Sequence, residues 1–435
     1  MIKHKKAERG QVLFLIAFAL VALLGISAMA MDGGRIYSDR RKAQNTADTS
    51  AFTGALIIAQ AATGDPTSLH PGTFTDAFNA AHARSISNGY DNDDSNVTVG
   101  VNVGGPFTDN GIYYLVRVTI TSQLETTFAH LVYDGPLVST VYAIAKARPP
   151  QNLAFGYAIY GVSNDACNTI NFTGNNNVNI NGGGIFSNST ANSSSCASMS
   201  REGNGNVNVS GGAIGAVGNF YENGAGSISP TPTEYVDQQT LPDITHPDCS
   251  GMPNYGDQFF NSGGTVTIDP GNYNSIRVGA GTDVIMNPGM YCIVGEDGFT
   301  GNGGDITGSA VFIYMQDGPF DLGGNARIRL GASTNLVDPS GNQWAGMLLY
   351  MHHENHEQVI LTGSSATRYR GTVYAPGPTK SDNKIKCIVE GTAGEIGVSS
   401  QLICYTVKLT GNANINLKYN AGQNYQFPAS LGLQE

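Results

Sequence analysis

Residues 351–357 read Met-His-His-Glu-Asn-His-Glu, three histidines and two carboxylates in one short run. Imidazoles and carboxylates are the donors that zinc and related transition metals take. Extended as a strand, the run puts His352, Glu354 and His356 on one face, because alternate residues share a side. That would make a three-ligand set. The spacing is not the helical His-Glu-x-x-His pattern, since His353 and His356 stand only three apart. The competing reading is a polar loop between two apolar runs, Leu348–Tyr350 and Val359–Leu361.

Other chemistry is thin. The acids of the C-terminal two-thirds (Asp165, Asp243, Asp248, Asp305, Asp317, Asp321) are scattered, whereas a glycosidase needs paired carboxylates on one groove. There is no Gly-x-Ser-x-Gly elbow and no Gly-Lys-[Ser/Thr] phosphate loop. Tyr90–Ser95 alternates oxygen-bearing side chains that suit calcium, but it lacks the distal bidentate Glu and reads as a solvated turn. The expectation is a non-enzyme without a cofactor. A net charge of −11 argues against a nucleic-acid partner, which requires basic surface.

Six cysteines, Cys167, Cys196, Cys249, Cys292, Cys387 and Cys404, all follow residue 150, and none forms a Cys-x-x-Cys pair. An even count beyond a membrane segment favours disulfides in an oxidising compartment. Only 13% of residues are charged, and 56 are glycine. With Val, Ile and Tyr recurring throughout, that composition suggests an extracellular all-β body and not a disordered chain.

The elements that carry these residues begin with a greasy helix. Residues 11–31 contain no charge, and about 20 apolar residues at ~1.5 Å each cross a bilayer core of ~30 Å. A signal peptide cut after Ala30 is the alternative. The helical pattern continues outward, however, through Asp32–Ala59. Ala47, Ala51, Ala55 and Ala59 recur every four residues, a smooth stripe that another helix can approach closely.

The stretch Arg9-Gly10-Gln11, the apolar run, Met31-Asp32-Gly33-Gly34-Arg35-Ile36-Tyr37, Arg40-Arg41-Lys42 and Gln44-Asn45-Thr46-Ala47-Asp48 resembles the N-terminus of TadE/TadG-like proteins of tight-adherence (Flp-type) pilus systems. The resemblance implies a membrane helix running into a stem, a compact module next, and partners among pilus subunits. It also implies a cell-envelope location, with the N-terminus cytoplasmic and the remainder outside. Processed pilins usually carry Glu five residues into the mature chain; a cut after Gly10 puts Leu15 there, so an uncleaved anchor is expected. The metal motif Asp-x-Ser-x-Ser that some TadG-like proteins carry is absent from this sequence. Pro288–Tyr291, Ala310–Tyr314, Gly346–Tyr350 and Gly371–Pro376 are similar to the β-rich C-terminal bodies of that group.

Three regions are expected: 1–62, membrane helix and stem; 63–149, a small α+β module; 150–435, the body. In the module, Asp76–Asn88 and Thr126–Tyr133 read as helices, and Asn96–Val103, Tyr113–Thr121 and Val138–Ala147 as strands. In the body, Gly174–Ile185 (GNNNVNINGGGI) and Gly203–Ile214 (GNGNVNVSGGAI) repeat at an offset of 29, and so do Cys167 and Cys196. A fixed period of this size points to stacked coils of a parallel β-solenoid, with a β-sandwich as the alternative. Val178 would then stack on Val207 and Ile180 on Val209. Asn177 and Asn179 would ladder onto Asn206 and Asn208. Related phrases begin at Gly324, Gly363 and Gly411; the middle one breaks the period.

The sequence thus predicts a mainly β protein with an N-terminal α stem, acting as a structural or adhesive pilus component. Its Asn/Thr/Tyr-rich faces suit glycans. The rivals are a carbohydrate-active enzyme on a β-helix and a self-assembling surface layer.

Overall fold

The computed structural model describes residues 11–61, 69–108, 111–131, 133, 135–323, 326–362, 367–380, 384–391 and 396–434. Residues 62–68, within the Gly- and Pro-containing stretch 60–75 where the sequence reads as a break after the stem, lie outside the described residues, as do Gly10, Gly324 and Gly363. Two compact units are present: one formed by the first 150 residues together with 429–435, the other by 151–428.

The first unit is built on helix α1 (Gln11–Ala59). At 1.5 Å per residue its 49 residues extend about 73 Å. Every large apolar side chain from Val12 to Met31 is exposed. Beyond Asp32 one face is buried: Ala43, Ala47, Ala51 and Ala55 are fully covered, and Ala59 nearly so. The cover comes from helix α2 (Pro71–Ser87) and from an antiparallel sheet of β1 (Val97–Thr108), β2 (Ile112–Leu124), β3 (Leu137–Arg148) and the last strand, Ser430–Gln434. Period-two alternation sets the faces, with Tyr114, Val116, Val118 and Ile120 inward from β2, and Val141, Ala143, Ala145 and Ala147 inward from β3. The alanine stripe therefore packs on its own module. The C-terminal strand belongs to this module too, where the sequence had assigned those residues to the body.

Gly54 marks a close approach of the two helices. A Cβ built there would lie 2.9 Å from the Ala77 carbonyl oxygen and 3.1 Å from the Ala81 Cβ. Gly54→Val is therefore expected to cost about 1–3 kcal/mol by overpacking, against the helix-propensity gain of losing a glycine. Thermal unfolding of the full chain in detergent measures it; an unchanged or raised midpoint would refute tight α1–α2 packing.

The helix expected at Thr126–Tyr133 shrinks to a single 3-10 turn, Ala129–Leu131. The Asp32 carboxylate caps this turn, accepting the backbone N–H groups of Thr127, Phe128 and Ala129 at 2.7–3.2 Å. The Asp91–Ser95 segment is a turn: Asp91 accepts the Asp93 N–H and Asp94 accepts the Asn96 N–H.

The second unit is a stack of coils with parallel pairing, not a sandwich. Each coil visits three faces in turn, as in Ile170–Gly174, Val178–Asn181 and Gly184–Ser187. The first face is a ten-stranded sheet among the described residues. The second and third merge into one 17-stranded sheet, because strands such as Asp305–Met315 and Arg368–Ala375 bend from one face to the next. Val178 pairs with Val207 and Ile180 with Val209, in the register the repeat predicts. The Asn208 amide donates to Asn179, and Asn179 donates to Asn416. Asn177 departs from the expected amide ladder, since its Oδ1 accepts the backbone N–H of Asn206.

The coils do not stack in sequence order. The chain enters mid-stack at Tyr157–Gly161 and winds outward to Ile228–Ser229 and Thr233–Glu234 at one end. It then starts again at the other end, Asp257–Phe260 and Gly264–Ile268, and winds back. Its last strands, Val407–Gly411 and Ile415–Lys418, pair on both sides: with Cys387–Gly391 and Ile396–Cys404 behind, and with Ile170–Gly174 and Val178–Asn181 ahead. One coil is thus closed jointly by the two ends of the unit, and Gln151–Asn152 pairs antiparallel with Gln426–Phe427. Residues 235–256 form a strap that carries the chain from one end of the stack to the other along the third face. The strap explains why that face is apolar on both sides. All five residues of Met347–Met351 are buried, and Leu241, Ile244 and Met252 of the strap pack on an outer cluster with Tyr350, Tyr374 and Trp344.

Candidate functional site

The histidine run lies in a turn after the strand Met347–Met351, so strand alternation does not apply to it. His352 N–H donates to the Met315 carbonyl at 2.9 Å, and the buried Asn355 amide donates to Gly318 O at 2.9 Å. These bonds dock the turn on the preceding coil. His352 and His353 point to the same side, with ring centres 4.4 Å apart. Glu354 is exposed, its carboxylate 3.9 Å from His353 Nε2. His356 turns away to the Pro378 carbonyl, 3.0 Å from its Nδ1. The set His352, Glu354 and His356 is therefore not assembled: the Asn355 N–H donates to the His352 carbonyl at 2.9 Å, closing a turn over His353 and Glu354, and His356 faces Pro378 instead.

A residue that the sequence reading passed over completes a different group. His246, on the strap, places its ring 4.3 Å from His352 and 4.9 Å from His353, centre to centre. One nitrogen from each of the three lies within 4.8 Å of the others. His246 Nδ1 is 2.9 Å from the hydroxyl of Tyr350. Burial, the main cause, and neighbouring histidines hold His246 and His352 below the ordinary imidazole range, while Glu354 pulls the other way. Burial and nearby tyrosines push the Tyr350 phenol well above 10, so it stays protonated. No signal in the sequence ties His246 to a run more than a hundred residues downstream; only the strap's course does so.

Beside the histidines, strap and third face border a half-open cleft of about 540 Å³, lined in part by Tyr160, Asn188, Gln239, Asp243, His246 and His353. Tyr160 and Tyr350 are almost wholly buried, so they offer no stacking platform for a sugar ring.

The structure joins Cys167 to Cys196, Cys249 to Cys292 and Cys387 to Cys404, with no free cysteine among the described residues. The first links neighbouring coils, with Cα atoms 4.5 Å apart. The second ties the strap to the third face.

At the other extreme of the chain, an exposed apolar helix continues into a stem whose alanine face is covered by its own module. Residues 10–61 match the family model described as putative Flp pilus-assembly TadE/G-like. No curated protein and no solved structure matches the chain. The TadE/G-like match ends two residues past α1, so it covers the apolar helix and stem and leaves the sheet module and the coil stack unmatched. It supports a pilus-assembly component at the cell envelope. α1 is long and apolar enough to serve as a membrane anchor.

Proposed function

We propose that this chain is a membrane-anchored, pilin-like subunit of a tight-adherence (Flp-type) pilus system. Its coil stack is displayed outside the cytoplasm and contributes to attachment. The observation that carries the reading is the coincidence of the TadE/G-like match with a helix whose apolar part is bare and whose stem is packed. Thirteen large apolar side chains exposed between Val12 and Met31 require lipid or a neighbouring helix, since a soluble surface rarely tolerates so large an apolar patch. Three disulfides support an oxidising location for the body.

The polar rows on the second face, Asn179, Asn208 and Asn416 in register, are the surface offered to a glycan. A photoreactive residue at Leu20 of the full chain, in cells that assemble such pili, is expected to crosslink to another pilus or pilus-assembly subunit. Loss of the chain is expected to reduce attachment. Fractionation as a soluble protein, with attachment intact in its absence, would remove the proposal. A glycan array showing no binding by the detergent-solubilised chain would remove the glycan part alone.

A further inference from the structure

We infer that His246, His352 and His353 form a zinc-binding site that fastens the strap to the coil stack. The donors fit: neutral imidazole suits Zn²⁺ and its neighbours, and three protein ligands with one open position is a common zinc arrangement. The geometry is close. Ligands of a tetrahedral zinc at 2.0–2.1 Å stand about 3.3 Å apart, and the three nitrogens here already lie within 4.8 Å of one another. Small rotations about χ1 and χ2 close that gap.

Both carriers are anchored. The turn bearing His352 and His353 is fixed through the Met315 carbonyl and the Asn355 side chain. The strap is covalently held three residues after His246, at Cys249. Tyr350 supplies what metal-bound histidines usually have, an outer partner for the second ring nitrogen. With His246 Nδ1–H donating to the Tyr350 oxygen at 2.9 Å, Nε2 is left with its lone pair for the ion. His352 must adjust, because its Nδ1 accepts the Glu354 N–H at 3.2 Å. Either that bond is exchanged for the metal or the ring turns over. The Glu354 carboxylate, beside His353, or a water molecule fills the fourth position.

The set differs from the one that strand alternation suggests: it keeps His352, gains His246 and His353, and drops His356 from the ligands. It is independent of the pilus reading, since a clamp on the strap serves any role the body has.

The test is a titration of Zn²⁺ into the full chain, purified in detergent without an oligohistidine tag and stripped by chelator. One ion per chain and a raised unfolding temperature are expected, because an ion that binds only the folded state stabilises it. His246→Ala and His353→Gln should each abolish stoichiometric binding. Tyr350→Phe should weaken it about 10–100-fold, and His356→Ala should leave it unchanged. The exposed His353 keeps the test readable if a strap variant misfolds. Absence of binding by the stripped wild type overturns the inference, as does equal affinity in the His246 and His353 variants or loss of binding in His356→Ala.

Discussion

Replacing Cys249 and Cys292 together with alanine is expected to destabilise the body by about 4 kcal/mol. The bridge closes a loop of 43 residues. In the chain-entropy account, cross-linking a loop of that length removes about 4 kcal/mol of freedom from the unfolded state, against about 3 for a loop of 17 such as Cys387–Cys404. What sets this bridge apart is where it acts. The other two lie among strands already held by ladder hydrogen bonds: Cys167–Cys196 joins coils whose strands Ile170–Gly174 and Met199–Gly203 pair, and Cys387–Cys404 closes one coil whose strands Cys387–Gly391 and Ile396–Cys404 are both paired to neighbours. The strap pairs by backbone only near its ends, at Tyr235–Val236 and Pro253–Gly256. Between them it is held by isolated bonds such as Gln239 N–H to Asn188, the Tyr160 hydroxyl to the Gln239 carbonyl, His246 to Tyr350, Asp248 N–H to the Asp338 carboxylate and the Asn272 amide to the Cys249 carbonyl. Without the bridge it should detach before the stack unfolds. Limited proteolysis of the double variant should cut within 236–256 under conditions that leave wild type whole, and the unfolding midpoint should fall by roughly 10 °C. A variant that retains both the midpoint and the protease resistance would mean that apolar packing alone holds the strap.

The strap also marks where sequence reading stopped. The greasy helix, the alternating strands of the module and the Asn-rich repeat are local patterns, and local patterns survive in one dimension. The 29-residue offset between Val178 and Val207 is such a pattern, because one phrase recurs a single coil later in register. Coil length then changes. From Val266 to Val284 is 18 residues, yet from Leu330 to Tyr369 is 39, the excess spent in loops. Periodicity cannot show through such variation.

The order of coils was hidden for a deeper reason. Pairing of Ile415 with Val178 joins segments 237 residues apart, and the register there rests on matching two interchangeable β-faces. Any coil of this stack presents Val or Ile inward, so composition does not say which coil sits next to which. The last strand, Ser430–Gln434, follows from the same topology: a body that begins and ends in one coil returns its chain to the place it left. The histidine site inherits the difficulty, since His246 becomes a neighbour of His352 only once the strap's path is known. The alanine stripe was visible as a close-packing surface, but its partners were not. Those partners, α2 and the sheet, lie beyond a turn-rich segment whose course nothing in the sequence specifies.

Lys386 gives the second large expectation, in pH instead of temperature. It is fully buried, and its ammonium donates to the Asn355 carbonyl. Burial, opposed by the charge of Glu357, lowers its pKa from 10.5 to about 8. At about 1.4 kcal/mol per factor of ten, the charged form carries a penalty of roughly 3 kcal/mol in the folded state. Because the folded pKa is the lower one, the unfolded chain holds more protons between pH 8 and pH 10.5, and stability from this residue rises with pH across that window. Below pH 8 the whole penalty is present; above 10.5 it is gone. Lys386→Met removes the titration. At pH 7 the variant should be about 1 kcal/mol more stable than wild type, the relief of burial being partly offset by the lost bond to Asn355. Wild type should then gain roughly 3 kcal/mol on the variant between pH 8 and pH 10.5. The buried tyrosines are common to both proteins and cancel in that difference. Denaturant unfolding of the pair at each pH measures it, and parallel stability curves would show that the Lys386 ammonium is solvated in the folded protein.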